Sequence, residues 1–430
     1  MQLPQHTHIL FEEFVQELPS DYRELAYDFK AFTRARKIGS PLQLLQLVML
    51  YCGLDLSLRS CAGEIAVMQG YLSDTAVKKR LEACVPWIKA LLSGVFGLEK
   101  VVDSGSLRFI VIDGSTVQEP GATGTTYRLH VAIDLVNLTF HQVEVTTDKE
   151  GEHLDHYRLR EGDVVLIDRG YNQPKTLVPF IDRGGDVVLR YNAHGMNLYG
   201  FDDVMEKIDW QEQLKNLHGE AGVIPVYLCH QDKRIEGYVH AIPLPEKEAA
   251  EARRKARERA RNKGRNASGK SLYLSGWVLI FTSLPPDVLD TRTASSLYRV
   301  RWQVELTIKR MKSLLDIDKL RAFKESPLAE LYLYGKLLYA TVVEKITNRR
   351  FGRAMTGMVM DRKLTPWRPW NLINEAVRAA IIACFQYKER YELDAIKSMS
   401  ERPRKRKLQT LPESIFGLIS QCRRLGVSLV

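Results

Sequence analysis

Two aspartates and one glutamate occupy positions where catalytic carboxylates are expected to meet. Asp113 follows the short apolar run 108–112, and Asp168 follows the similar run 163–167. Such runs predict strands that are buried on both faces, and an acid at the end of a buried strand projects from the sheet edge where active sites gather. A turn or a helix cap would explain either aspartate alone. Two parallel cases, with Glu305 in a later cationic segment, favour a shared site.

The chemistry of such a site follows from its charge. Three carboxylates placed together repel one another unless a cation neutralises them. Hard oxygen ligands without a nearby Cys or His cluster favour Mg²⁺, with Mn²⁺ as a substitute, over zinc. Two such ions roughly 4 Å apart activate the attacking oxygen and stabilise the leaving oxygen of an in-line phosphoryl displacement. Asp113, Asp168 and Glu305 are therefore the candidate catalytic residues and metal ligands.

The segment around Glu305 has a regular spacing. Tyr298 is followed by Arg301, Glu305 and Lys312 at intervals of three, four and seven residues. On one continuous helix of about 3.6 residues per turn, these side chains return to nearly the same face, together with Lys309. Charged residues at such spacing usually form a solvated, ion-paired surface. Here the cations outnumber the single acid, which favours contact with a phosphate backbone.

This spacing resembles the signature of the YREK group of DDE transposases, the insertion-sequence-four family. The segment 168–171, Asp-Arg-Gly-Tyr, also looks like the usual form of this group around its second acid. The resemblance covers residues 105 to 320 well and the flanks only by the order of their elements. It implies a DNA transposase that binds element ends, cuts DNA hydrolytically with a bound divalent metal, and then uses a 3′ hydroxyl to attack target DNA.

The resemblance also implies residues that contact DNA. In relatives that make DNA hairpins, the Tyr and Arg of the signature hold the hairpin phosphates, and a Trp at the place of Trp277 stacks on an extruded base. Trp277 lies in an apolar segment, so an ordinary core tryptophan is the competing interpretation. The candidate DNA-binding residues are Tyr298, Arg301, Lys309, Lys312, Arg169 and Trp277.

The order of elements predicts an α/β fold with an RNase H-like catalytic core, a mixed five-stranded sheet with helices. A short helical piece is predicted at 153–158. The predicted core strands are 108–112, 127–134, 138–145, 163–167 and 186–191. The last core helix would carry Glu305, and the long interval before it predicts a β-rich insertion.

The predicted insertion contains strands at 224–229, 238–242 and 272–281. Between the last two lies the basic arm, residues 246–270, with ten cations against four glutamates. Its first half is compatible with a helix, and its second half predicts a mobile loop. A solvated linker is the alternative. The excess of cations favours an arm that contacts phosphates and makes binding steeply salt-dependent.

The flanks of the core are helical in pattern. Ser40 and Pro41 predict a capped helix start. Residues 58–68, a break at Gly70 and a capped segment at 73–80 form a helix-turn-helix outline, which any small helical bundle would share. After the core, further helices are predicted at 328–350 and 371–391, separated by a break at 366–370, with a basic run at 402–407.

The predicted regions are 1–100, a helical DNA-binding domain; 101–192, the first part of the core; 193–290, the insertion; 291–345, the last part of the core; and 346–430, a helical C-terminal region. The net charge of +10 suits a polyanionic partner without identifying it. No apolar run approaches a membrane span, and the six cysteines are scattered without CxxC pairs. These features predict a cytoplasmic protein, and the family resemblance implies a bacterial, nucleoid-associated one. Joining two element ends implies a homodimer.

Two alternative functions remain open. A stand-alone RNase H-like nuclease would need neither the long insertion nor a phosphate-holding Tyr298. A domesticated DNA-binding protein that has lost catalysis is the other alternative. The presence of all three carboxylates argues against it.

Overall fold

A computed structural model of the chain describes residues 6–97, 107–136, 139–201, 206–324, 326–356, 358–359, 362–363, 366–385, 389–391, 393–394 and 396. The basic run 402–407 lies outside the described residues. The described part is an α/β structure in which one mixed sheet carries helices on both faces. This architecture agrees with the predicted fold class.

The core strands are β1 (Arg108–Val117), β2 (Tyr127–Asp134), β3 (Thr139–Thr147), β4 (Asp163–Ile167) and β5 (Asp186–Arg190). Their order in the sheet is β3-β2-β1-β4-β5, with β1, β4 and β5 parallel and β2 and β3 antiparallel. This is the RNase H-like arrangement that the sequence predicts. Short 3-10 turns lie at Leu154–His156 and Arg169–Tyr171, and helix α7 (Pro174–Asp182) joins β4 to β5.

Strand β1 is longer than predicted, so Asp113 lies within it rather than after it. Residues 108–111 of β1 pair with β4, and the strand then continues to Val117 against β2 alone. The antiparallel partner therefore extends the strand past its apolar run. Asp113 lies just beyond the parallel pairing, on the same face of β1 as Val111 and Val117, which are buried in the core beneath helices α12 and α13 described below.

The insertion extends the core sheet. Its elements are α8 (Trp210–Asn216), β6 (Gly222–His230), β7 (Lys233–Pro243), α9 (Glu246–Asn262), α10 (Gly269–Leu274) and β8 (Trp277–Thr282). Strand β8 pairs with β5 on one side and β7 on the other, which gives eight strands in one described sheet. The sequence did not predict this continuity.

Two predictions within the insertion were wrong in part. The segment 272–281 is not one strand, because Ser268 caps helix α10 through its hydroxyl and the strand begins only at Trp277. The second half of the basic arm is not all loop, since α9 continues to Asn262. Alanine, glutamate and arginine are strong helix formers, which explains why α9 runs past the midpoint of the arm.

The N-terminal helices are α1 (His6–Gln16), α2 (Tyr22–Asp28), α3 (Pro41–Cys52), α4 (Leu58–Gln69), α5 (Asp74–Glu82) and α6 (Val85–Gly97). The Ser40 hydroxyl accepts a hydrogen bond from the Gln43 amide and begins α3 as predicted. Ser73 caps α5 in the same way. Gly70 follows α4 with a φ of 85°, a conformation that favours glycine, so the helix-turn-helix outline corresponds to real helices.

The remaining helices are α11 (Thr291–Val300), α12 (Trp302–Leu315), α13 (Pro327–Thr356) and α14 (Trp367–Ala383), with a short hairpin of β9 (Met358–Val359) and β10 (Arg362–Lys363) and a 3-10 turn at Glu389–Tyr391. Residues 367–370 do not interrupt the helical structure, although a break was predicted at 366–370. They form the first turn of α14, where a proline at the third position leaves the helix intact.

Helix α13 is central to the packing. It contacts α3, α5, α6, α14 and β3, so the N- and C-terminal helices share one core with a face of the sheet. The other face packs against α7 and the insertion. None of the described helices is long and apolar enough to cross a membrane. The described cysteines are free thiols.

Candidate active site

Asp113 and Asp168 lie at one edge of the sheet because β1 and β4 are adjacent and parallel. Asp168 immediately follows β4 and caps the next 3-10 turn, where its Oδ1 accepts a hydrogen bond of 2.7 Å from the Gly170 amide. The Asp113 carboxylate accepts a similar bond of 2.9 Å from the Gly114 amide. Each contact fixes the orientation of its carboxylate, that of Asp113 within β1 and that of Asp168 just after β4.

Glu305 reaches this edge from helix α12, which packs on β1 and β2. The helix that carries the spaced residues is not continuous, contrary to the prediction. It is broken at Arg301, so that Tyr298 belongs to α11 while Glu305 and Lys312 belong to α12. The two helices pack on different strands, α11 on β5, β7 and β8, which explains the break.

The guanidinium of Arg301 lies among the three acids. Its Nη1 is 3.6 Å from Asp113 Oδ2, and its Nη2 forms a close ion pair with Glu305. The side chain is only 13% exposed. Burial alone would lower the pKa of Arg301, but Tyr298, Asp113, Glu305 and Asp168 together raise it. Arg301 is therefore held firmly in its charged form.

The protonation of Asp113 reflects the same neighbourhood. The pKa of Asp113 is raised to about 6, mainly by burial and in smaller part by the charges of Asp168 and Glu305. Arg301 and the Gly114 amide act in the opposite direction. Mutual repulsion of this kind requires the three carboxylates to be close in space. The structure thus brings together the three acids that the sequence singles out.

The donor chemistry of this group fits a hard divalent cation, because every candidate ligand is a carboxylate oxygen. In this structure the guanidinium of Arg301 supplies the positive charge beside these oxygens. Across the described part of the chain, no three His, Cys, Asp or Glu side chains are drawn together tightly enough to hold one ion. Asp113, Asp168 and Glu305 have suitable chemistry, and Arg301 bridges two of them.

Two further cations lie beside the acids without carboxylate partners. Arg169, which follows Asp168, and Arg190, at the end of β5, form no ion pair with any described residue. Burial lowers the pKa of Arg190 to about 10, and repulsion from Arg169 adds to the shift. Tyr298 raises the pKa of both arginines, and Asp168 in turn raises the pKa of Tyr298. Two neighbouring cations without carboxylate partners, Arg169 exposed and Arg190 half-buried, suit an anion-binding surface.

A large cleft opens next to these arginines, with a volume of about 1150 Å³. It lies between the sheet edge that carries the candidate acids and helices α9 and α10, and Arg169, Arg190, Arg259 and Lys263 are among its lining residues. Trp277 also lines it. However, Trp277 is only 7% exposed and belongs to the core on this face of the sheet, so its indole is mostly a packing group.

The two lysines predicted to contact DNA, Lys309 and Lys312, lie on α12 but are not paired with the three acids. Lys309 is exposed on α12 and Lys312 is half-buried near its C-terminal end, and neither forms an ion pair with the acids in the described structure. Arg310, between them, is not part of the cationic surface that the sequence suggested. It is buried and pairs with Glu344 of α13 at 3.2 Å.

Three residues near the site were missed by sequence reasoning. Arg190 is the next-to-last residue of the predicted strand 186–191, and a cation near the end of a core strand was its available signal. Trp302 is 60% exposed directly after Arg301, and an aromatic residue inside a cationic signature is unusual for a solvated helix. Glu152 has no comparable sequence signal. Its carboxylate packs so closely on Gly114 and Gly170 that a side chain at either glycine would collide with it.

Comparison with known proteins agrees with this geometry. The family profile described as Transposase DDE domain matches residues 104–338, more than half of the chain. The transposase for insertion sequence element IS421 of Escherichia coli is 28% identical over 339 residues, covering 76% of this chain and 91% of that protein. The transposase for IS231E of Bacillus thuringiensis subsp. finitimus is 24% identical over 370 residues, covering 76% and 77%.

Among solved structures, piggyBac transposase in a synaptic complex with hairpin DNA aligns at 9% identity with a TM-score of 0.43, covering 95% of this chain and 88% of that one. This likeness is too distant to transfer contacts or residue roles. The family profile spans the two strands that position Asp113 and Asp168 and the helix that carries Glu305. The chain belongs to the DDE transposase family.

Proposed function

We propose that this DNA transposase cuts DNA at the ends of an insertion element at Asp113, Asp168 and Glu305, and joins the freed 3′ ends to target DNA. The observation that carries the proposal is that Arg301 lies 3.6 Å from Asp113 and pairs with Glu305, while Asp168 follows β4, the parallel neighbour of β1. Carboxylates from three elements distant in sequence repel one another at one site, and a bound cation offsets that repulsion.

The family implies dependence on a divalent metal ion. We infer Mg²⁺, with Mn²⁺ as a substitute, because every proposed ligand is a carboxylate oxygen. Asp113 and Asp168 would hold the ion from the sheet and Glu305 from the helix. When bound, the metal activates the attacking oxygen and stabilises the leaving oxygen.

The surrounding residues position the DNA phosphates. Arg169 and Arg190 present unpaired positive charge to the cleft beside Asp168 and suit a phosphate of the cleaved strand. Tyr298 lies between them and Arg301, where its hydroxyl can donate to a phosphate oxygen. Lys309 and Lys312 extend this surface along α12 and neutralise phosphates farther from the cut.

The basic arm and the cleft supply a path for the strand that leaves the site. Six cations of the arm form no ion pair within the described structure; they are Lys247, Arg257, Arg259, Arg261, Lys263 and Arg265. Arg259 and Arg169 line the same cleft, so the proposed path leads to the edge that carries the acids. The exposed ring of Trp302 is the main candidate for stacking on a DNA base. Trp277, which is mostly buried, is the weaker candidate.

The N-terminal helices are proposed to recognise the element ends, with α5 as the reading helix. Lys78 and Lys79 are exposed on α5 and Arg80 is half-exposed, which suits contact with a DNA backbone. Joining two ends requires two copies of the chain, so a homodimer is proposed for the working complex, in the cytoplasm where bacterial DNA lies.

The test uses a plasmid that carries the element's own flanking ends. Wild-type protein, Asp168→Ala and the matched variant Asp182→Ala, which removes an exposed acid at the end of α7, are compared in Mg²⁺ with and without EDTA. Excision is expected for the wild type and Asp182→Ala only, and EDTA is expected to abolish it.

Other outcomes separate the alternative functions. End binding without cleavage by the wild type, in Mg²⁺ and in Mn²⁺, would indicate a catalytically inactive DNA-binding protein. Cleavage that requires no element ends and survives Tyr298→Phe would indicate a stand-alone nuclease.

A further inference from the structure

Arg301 occupies an unusual place for a residue that is expected to contact DNA. It lies at the junction of α11 and α12, and its side chain turns inward to Asp113 and Glu305 rather than outward to solvent. Its Nη1 is fully buried and has no hydrogen-bond partner, because Asp113 Oδ2 is 3.6 Å away. The contact between Nη1 and Asp113 is therefore electrostatic, and the Nη1 group lacks a hydrogen-bond acceptor.

The charges around Arg301 show what it does in this state. Asp113, Glu305 and Asp168 all act on the guanidinium, and Tyr298 covers it, with 5.8 Å between Cζ and the ring centre. The positive groups nearest to the site, Arg169 and Arg190, point to the adjacent cleft and pair with none of the acids. Arg301 is thus the cation that balances the catalytic acids within the described structure.

We propose that Arg301 is an internal counter-ion that competes with the divalent metal for the catalytic carboxylates until DNA is bound. The inference rests on the proposed metal-dependent function of the same site. The oxygens that would hold the metal are the ones that the guanidinium contacts, and two cations cannot share them without strong repulsion at short range. Metal binding therefore requires the guanidinium to withdraw from Asp113 and Glu305.

A DNA phosphate provides the alternative partner for Arg301. Tyr298, Arg169 and Arg190 would bring a phosphate next to the guanidinium, and an arginine binds phosphate through two parallel hydrogen bonds. DNA binding would then release the acids for the metal. Because such coupling is reciprocal, DNA tightens metal binding by the same factor by which metal tightens DNA binding.

The experiment measures Mn²⁺ binding to the full-length protein by the loss of the free-ion EPR signal. It compares the wild type, Arg301→Gln and the matched control Arg299→Gln, which removes an exposed cation two residues away. Without DNA, Arg301→Gln is expected to bind Mn²⁺ at least tenfold more tightly than the wild type, and Arg299→Gln within twofold. A duplex of the element end is expected to tighten binding by the wild type, beyond a random duplex, but not by Arg301→Gln.

Equal Mn²⁺ affinity of the wild type and Arg301→Gln without DNA would overturn the proposal. If Arg301→Gln does not fold by circular dichroism, the wild type alone decides, because absence of tightening by the end duplex contradicts the competition. Asp168→Ala separates this inference from the proposed function. If Asp168→Ala binds Mn²⁺ as well as the wild type does, the metal site itself is misassigned. If Asp168→Ala loses binding while Arg301→Gln binds no more tightly than the wild type, the site stands and the competition fails.

Discussion

Lys336 and Asp55 form an ion pair of 2.8 Å, although the lysine side chain is fully buried. Asp55 precedes α4 in the N-terminal region, whereas Lys336 lies on α13. The lysine also donates a hydrogen bond to the carbonyl oxygen of Leu315, at the C-terminal end of α12. One buried ammonium therefore connects the N-terminal helices to the helix that carries Glu305.

Loss of the Asp55 charge is predicted to destabilise the whole protein. Asp55→Asn leaves the Lys336 ammonium buried without its carboxylate, and removal of one partner from a buried pair costs about 3 kcal/mol or more. The 35% exposure of the Asp55 side chain places the cost at the lower end. Asparagine tolerates the φ of 60° at this position, so backbone strain does not confuse the result.

Urea unfolding measures this effect. The matched control is Glu251→Gln, which breaks the exposed pair with Lys255 on α9 and should leave the free energy of unfolding nearly unchanged. Adding Lys336→Met to Asp55→Asn should recover part of the loss, because the unpaired charge is then gone. A cost for Asp55→Asn no larger than that of the control would show that the pair contributes nothing.

The two tryptophans near the site are predicted to respond in opposite ways. Trp277→Ala removes a ring that is 7% exposed and should lower the free energy of unfolding by about 3–5 kcal/mol. Trp302→Ala removes a ring that is 60% exposed and should leave stability nearly unchanged, while DNA cleavage falls about tenfold, the loss expected from one base stack. Thermal melts and cleavage rates on the same preparations test both. Normal cleavage by Trp302→Ala would remove that residue from the DNA surface.

The unpaired cations of the basic arm are predicted to set the salt dependence of DNA binding. The double variant Arg257→Ala and Arg261→Ala should reduce the slope of log K against log salt by about 2, because each phosphate contact contributes about 0.9. The double variant Arg253→Ala and Arg254→Ala is the control, since these residues already pair with Glu246 and Glu258. Equal slopes for both double variants would contradict a phosphate-binding arm.

His130 is predicted to make the protein sensitive to acid. Burial lowers the pKa of His130 to about 3, and the neighbouring His156 and His153 add to the shift. The unfolded chain binds a proton at this position near pH 6.5, whereas the folded protein does not until about pH 3, so stability is lost as pH falls through this window. His130→Asn should show a shallower loss of stability between pH 6.5 and 4 than the exposed-site control His194→Gln. Parallel curves would contradict this assignment.

The strands that carry the two candidate aspartates were predictable because their signal is local. β4 is a run of five residues, all buried, and Asp168 directly follows it, so apolar continuity and the next acid located the residue. Asp113 was located for the same reason, although antiparallel pairing with β2 extends β1 beyond it. The signature spacing likewise indicated which helix carries Glu305.

Features that depend on tertiary packing were not predictable. The break at Arg301 arises because α11 and α12 pack on different strands, while the spacing alone also suits one straight helix. Arg310 turns inward because Glu344 on α13, far along the chain, supplies a buried partner. The junction of β8 with β5 depends on an antiparallel pairing across about 90 residues, which leaves no local pattern.

The most direct test of the account is cleavage of end DNA by Asp113→Asn, Asp168→Asn and Glu305→Gln, with end binding measured on the same samples. Asp134→Asn serves as the control, because Asp134 is a strand acid outside the site. The account predicts that each of the three variants cuts at least about a thousandfold more slowly and binds ends about as well as the wild type, while Asp134→Asn cuts normally. Near-normal cleavage by any one of the three would show that its carboxylate is not part of the catalytic site.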